Sequence, residues 1–111
     1  MARVLLIDDD HELLDVLGEW LACRGHAVRL LADGHRASEE ARDFSPDVVL
    51  LDGLLRGITG PAVAERLRAG GHSGIIYLSG LPRGALPCDV PLIEKPIDLD
   101  ALERTIRCMV A

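Results

Sequence analysis

The chain has 111 residues, 49% of them hydrophobic and 27% charged, with a formal net charge of −6. That length suits one domain with one ordinary core, so the expected organisation is a single unit over 1–111. The acidic balance and scattered basic residues argue against direct nucleic-acid binding, the three cysteines form no CxxC pair that would suit a disulfide framework or structural zinc, and no apolar run approaches membrane-spanning length. With no signal-peptide pattern at the amino terminus, the expected setting is a reducing cytoplasm.

Val4 to Ile7 reads as the first strand, and it runs straight into Asp8, Asp9 and Asp10 in "VLLIDDDHE". Two unit charges about 4 Å apart repel by roughly 4 kcal/mol at an effective dielectric near 20. Crowded carboxylates therefore raise one another's pKa unless a cation sits among them, and the stretch asks for a metal or a basic side chain. Asp10 reads as the cap of the next helix, His11 to Arg24, and is not placed among the ligands. A strand at Ala27 to Leu31 and a helix at His35 to Phe44 follow. The third strand, Val48 to Leu51, is continuously apolar, as expected for a strand covered on both faces, and ends at Asp52. Pro61 suits the first turn of a helix running to Ala69. Ile75 to Leu78 ends at Ser79, and Val90 to Ile93 runs on into Lys95 and Pro96. The last helix, Asp98 to Val110, carries an apolar stripe of Leu99, Leu102, Ile106 and Met109 with Asp98 placed to cap it.

Strands alternating with helices predict a parallel sheet with helices on both faces, and ligands collect outside the carboxyl ends of such strands. Those ends hold Asp8, Asp9, Asp52, Ser79 and Lys95: three acids, a hydroxyl and an ammonium. Hard oxygen donors favour Mg²⁺. A carboxylate can attack phosphorus to form an aspartyl-phosphate, whose charge needs a metal, an ammonium and a hydroxyl donor around it. His11, His26, His35 and His72 have no metal-ligand spacing and read as structural or surface residues; Trp20 and Phe44 read as packing.

With "LIDDD" at its start, "PDVVLLD" ending at Asp52, Gly60 beyond it, "IIYLSG" around Ser79 and "EKPID" around Lys95, the chain resembles the receiver domain of bacterial two-component response regulators. The resemblance implies a flavodoxin-like five-stranded parallel sheet of order 2-1-3-4-5 with Asp52 as phosphoacceptor. The phosphodonor would be a histidine kinase or a histidine phosphotransfer protein. It implies Mg²⁺ held by Asp9 and Asp52 through their side chains, by Asp8 mainly through water, and by the backbone carbonyl of Leu54. It further implies that Ser79 bonds the phosphoryl group, that Gly80 leaves space beside it, that Lys95 pairs with it, and that a cis bond precedes Pro96. The domain would be a signalling module and not an enzyme with a substrate of its own.

Departures from the family pattern are equally specific. Leu55 and Arg56 stand where receivers commonly carry Met-Pro, and Leu92 stands where they usually carry an aromatic switch residue. Only sixteen positions separate Ser79 from Lys95, and Pro82, Gly84, Pro87 and Pro91 lie among them, so the fourth helix is expected to be shortened or absent. That shortening puts the usual receiver dimer in doubt. The expected protein is a stand-alone receiver, or one from a hybrid kinase, that signals through protein contact. The alternative is a pseudo-receiver that binds without being phosphorylated. A Mg²⁺-dependent phosphohydrolase is disfavoured, because such enzymes carry a second acid two residues past the nucleophile, where Leu54 stands.

Overall fold

The computed structural model describes residues 1–81, Gly84, Leu86 and 90–110. Its strands and helices run β1 (Arg3–Ile7), α1 (His11–Cys23), β2 (Ala27–Leu31), α2 (Ala37–Phe44), β3 (Val48–Asp52), β4 (Leu54–Leu55), β5 (Ile58–Thr59), α3 (Gly60–Ala69), β6 (Ile75–Ser79), β7 (Leu92–Glu94) and α4 (Leu99–Val110). Five strands form one parallel sheet in the order β2-β1-β3-β6-β7, and β4 with β5 makes a separate antiparallel hairpin. Leaving the hairpin aside, this is the expected 2-1-3-4-5 order.

The alternation of side chains along each strand divides the core in two. Leu5, Ile7, Val49, Leu51, Ile75 and Tyr77 point toward α2 and α3, whereas Val4, Leu6, Val48, Leu50, Ile76 and Leu78 point toward α1 and α4. Strands β1, β3 and β6 are thus covered on both faces, which is why they read as unbroken apolar runs. Helices α1, α3 and α4 each start on a polar cap, whereas α2 has no side-chain cap of its own. Asp10 accepts from the Glu12 and Leu13 amides at 3.1 and 3.2 Å, Thr59 from that of Ala62 at 3.3 Å, and Asp98 from that of Ala101 at 3.1 Å.

Three local expectations change. The second helix begins at Ala37, because Gly34–Arg36 forms a tighter 3₁₀ turn capped by Asp33. The last strand begins at Leu92 and not at Val90; Pro91 has no N–H for the ladder, and pairing starts where its carbonyl accepts from Tyr77 at 2.8 Å. The hairpin was not expected at all; its strands are two residues long and turn through Arg56 and Gly57, the latter at φ +71°. Among the described residues no helix lies between β6 and β7, as expected for this short connection; Pro82, Arg83, Ala85, Pro87, Cys88 and Asp89 lie outside the described residues. Cys23 and Cys108 are free and exposed, and no helix among the described residues is long and apolar enough to cross a membrane.

Candidate functional site

Register places the polar residues. Ile7 is level with Leu51, so Asp8 leaves β1 beside Asp52 at the end of β3; Asp52 is level with Leu78, and Ser79 with Glu94, so Ser79 and Lys95 follow on the same edge. Backbone bonds fix the strand ends, from Asp8 N–H to the Leu31 carbonyl at 3.1 Å, Gly53 N–H to Leu78 at 3.2 Å and Lys95 N–H to Ser79 at 2.9 Å. The Lys95–Pro96 bond is cis, as expected.

Asp8 is fully buried, Asp9 half-buried and Asp52 nearly buried. One carboxylate oxygen of each lies within 4.8 Å of the others, so one cation can reach all three. Lys95 Nζ donates to Asp8 Oδ2 at 2.9 Å and stands 3.5 Å from Asp52 Oδ1. The Asp10 amide donates to Asp8 Oδ1 at 2.9 Å while the Asp10 carboxylate turns to cap α1, so the third aspartate of the run stays out of the cluster, as its sequence position implies.

The lysine alone does not settle the charge. Burial, followed by the charge of Asp8, pushes the Asp52 carboxyl up to about 6, against the opposing pull of Lys95 and of the Leu54 N–H at 3.4 Å. Burial works against the charge on Lys95, but the hydrogen bond to Asp8 and the charges of Asp52 and Asp8 outweigh it and hold the ammonium above its usual range. Three carboxylates share one ammonium, and hard oxygen donors with charge to spare fit a Mg²⁺ ion.

Ser79 is buried, and its Oγ accepts from the Leu81 N–H at 3.0 Å. Among the described residues, a Cβ at Gly80 would meet nothing within 4 Å. At Gly53, which the sequence reading passed over, a Cβ would lie 3.1 Å from Ser79 Oγ and 2.9 Å from Leu86 Cδ1. A glycine directly after a strand-end acid was the available signal. Gly60 closes the hairpin on the site, since its N–H donates to the Gly53 carbonyl at 3.0 Å and its Cβ position lies 2.6 Å from the Asp52 carbonyl oxygen. The position two residues after Asp52 is Leu54, whose side chain is exposed, so no acid stands there.

A family model described as "Response regulator receiver domain" matches residues 4–84. Among curated proteins, the chain is 36% identical to the DNA-binding response regulator MtrA of Mycobacterium tuberculosis over 77 residues, covering 69% of the chain and 34% of that protein. It is 34% identical to the transcriptional activator protein PfeR of Pseudomonas aeruginosa, covering 95% of the chain and 39% of that protein. The chain thus spans little more than a third of the length of these relatives. Among solved structures it is similar to the BeF₃-activated N-terminal receiver domain of Klebsiella pneumoniae RstA, with a TM-score of 0.87, 25% identity and coverage of 96% of this chain and 97% of that one.

Proposed function

The chain belongs to the response regulator receiver family, and on that premise we propose that Asp52 accepts a phosphoryl group from the phosphohistidine of a histidine kinase or histidine phosphotransfer protein. The observation that carries this reading is the gathering of Asp8, Asp9 and Asp52 within one cation's reach, with Lys95 alongside. Asp52, ionised, attacks phosphorus; the P–N bond of the donor breaks and its electron pair returns to the imidazole. Lys95 turns its ammonium toward a phosphoryl oxygen from its position between Asp8 and Asp52. Because Ser79 Oγ accepts the Leu81 N–H, its own O–H remains available to donate to the phosphoryl group. Asp8, Asp9, Asp52 and the backbone carbonyl of Leu54 would hold Mg²⁺, which when bound draws charge from the carboxylates and phosphoryl oxygens. Gly80 keeps the approach open.

The same proposal reads the 111 residues as one cytoplasmic receiver that signals by protein contact. MtrA is named as DNA-binding and PfeR as a transcriptional activator, and each is matched over little more than a third of its length. A nucleic-acid contact in a longer protein of this kind would come from outside the matched segment, given the acidic balance here. Incubation with acetyl phosphate and Mg²⁺, read by intact mass, should add one phosphoryl group. Chelation by EDTA or the Asp52→Asn change should abolish the gain, and equal labelling in all three samples would contradict the proposal.

A further inference from the structure

On the α2 and α3 side of the sheet, away from Asp52, a cavity of about 300 Å³ is lined by Ser38, Arg42, Arg66, Gly70 and His72. Ser38 and Arg42 are one turn apart on α2, and Arg66 and Gly70 are one turn apart at the end of α3, so each pair shares a helix face. Neighbouring arginines already have partners. Arg29 bonds Glu40 at 3.2 Å and Asp43 at 2.7 Å, and Arg36 reaches Glu40 at 3.2 Å and Glu39 at 4.0 Å. Among the described residues neither Arg42 nor Arg66 has a carboxylate within 4.0 Å, although the chain carries a net charge of −6. The acids flanking Arg42, Glu39 and Asp43, are the ones engaged by Arg36 and Arg29.

The end of α3 leaves few acceptors to compete. The Arg66, Leu67 and Arg68 carbonyls accept N–H groups from Gly70, His72 and Gly71 at 3.2, 2.9 and 2.9 Å. Two guanidiniums, always charged and rich in forked donors, therefore border one concave space together with a hydroxyl and an imidazole. We propose that this cavity is a second anion site, independent of Asp52, that takes inorganic phosphate or a small phosphate monoester. Its size lies at the lower end for small-molecule sites and suits a phosphate with a small substituent. Arginine forks supply the paired hydrogen bonds that phosphate oxygens accept.

The test is an NMR titration of the isotope-labelled full chain in EDTA, which removes Mg²⁺ from the aspartate cluster. Inorganic phosphate and glycerol phosphate are added in separate arms, with chloride at matched ionic strength as the third. Saturable shifts at the Ser38, Gly70 and His72 amides are expected with phosphate, retained in Asp52→Asn. They should weaken by about tenfold or more in Arg42→Gln and in Arg66→Gln, exposed positions where the fold is undisturbed. The tighter of the two phosphate arms identifies free anion or ester as the ligand. Absence of saturable shifts, the same shifts with chloride, or unchanged affinity in both arginine variants would overturn the proposal.

Discussion

Asp52 keeps its proton up to about 6, against an ordinary value of 3.8, because burial and then the Asp8 charge act on it. The metal-free native state binds that proton more tightly than the unfolded chain does, so stability falls as pH rises from 3.8 toward 6 and the penalty is complete above that range. Asp52→Asn should therefore raise the metal-free Tm at pH 7, by about 4 °C for a gain of about 1 kcal/mol, and should leave Tm nearly unchanged at pH 4. Thermal melts at the two pH values check both the size and the sign. Glu103 behaves in the opposite sense. Burial would raise its pKa, but the hydrogen bond from His26 at 2.7 Å and the charges of Arg107 and Arg24 bring it below its ordinary value of 4.5. That stability is present above 4.5 and is lost as pH falls through the depressed value. His26 Nδ1 accepts the Ala2 N–H at 3.0 Å, which fixes the tautomer and puts the ring proton on Nε2, facing Glu103. Glu103→Gln should cost about 1 kcal/mol at pH 7, measured by urea unfolding, and should flatten the acid limb of the stability curve. The placement of Asp8, Asp9, Asp52, Ser79 and Lys95 was legible because parallel strands joined by crossovers bring their carboxyl ends to one edge. The His26–Glu103 pair was not, since 77 positions separate its members and no spacing rule links them.

At the scale of elements, periodicity identified β1, β3, β6 and α4, because each is amphipathic or wholly apolar over several residues. The β4–β5 hairpin is too short to show a period, and its Arg56–Gly57 turn lacks the Asn-Gly or Asp-Gly signal. It is nonetheless seated tightly, and Gly60 is where it closes. A Cβ there would meet the Asp52 carbonyl oxygen at 2.6 Å and Gly53 Cα at 2.9 Å, both backbone atoms with little freedom to give way. Gly60→Ala should cost about 1–3 kcal/mol and slow phosphorylation, whereas Gly80→Ala, with no atom of the described residues within 4 Å of its Cβ position, should leave stability within about 0.5 kcal/mol of the parent. Denaturant melts compare the two. Leu92, half-buried on β7, has no ring to swing, so any response to phosphorylation must arise where Ser79 moves toward the new oxygens. Amide exchange with beryllofluoride should change most after Asp52 and over residues 79–91; protection changes confined to α4 would contradict this route.

Across the whole molecule, the two edges of the sheet are built for different tasks. At the amino edge, Ala2, His26 and Glu103 join the starts of β1 and β2 to α4 through buried hydrogen bonds. The carboxyl edge gathers like charge that the fold only partly neutralises, an arrangement that fits a cation. The parallel sheet and the gathering of strand ends followed from the β-α alternation, because a parallel sheet forces successive strand ends to one side, whereas the strand order came from the resemblance to receivers. The helix-on-helix cavity beside Arg42 and Arg66 depends on how α2 meets α3, which no local pattern encodes. The central claim is that Asp52, alone among the edge carboxylates, becomes an acyl phosphate. Treating the chain with acetyl phosphate and Mg²⁺, reducing it with borohydride and sequencing the peptides by mass spectrometry should place homoserine at position 52 only. Homoserine at Asp8 or Asp9 instead, or none at all from fully folded protein, would contradict the account.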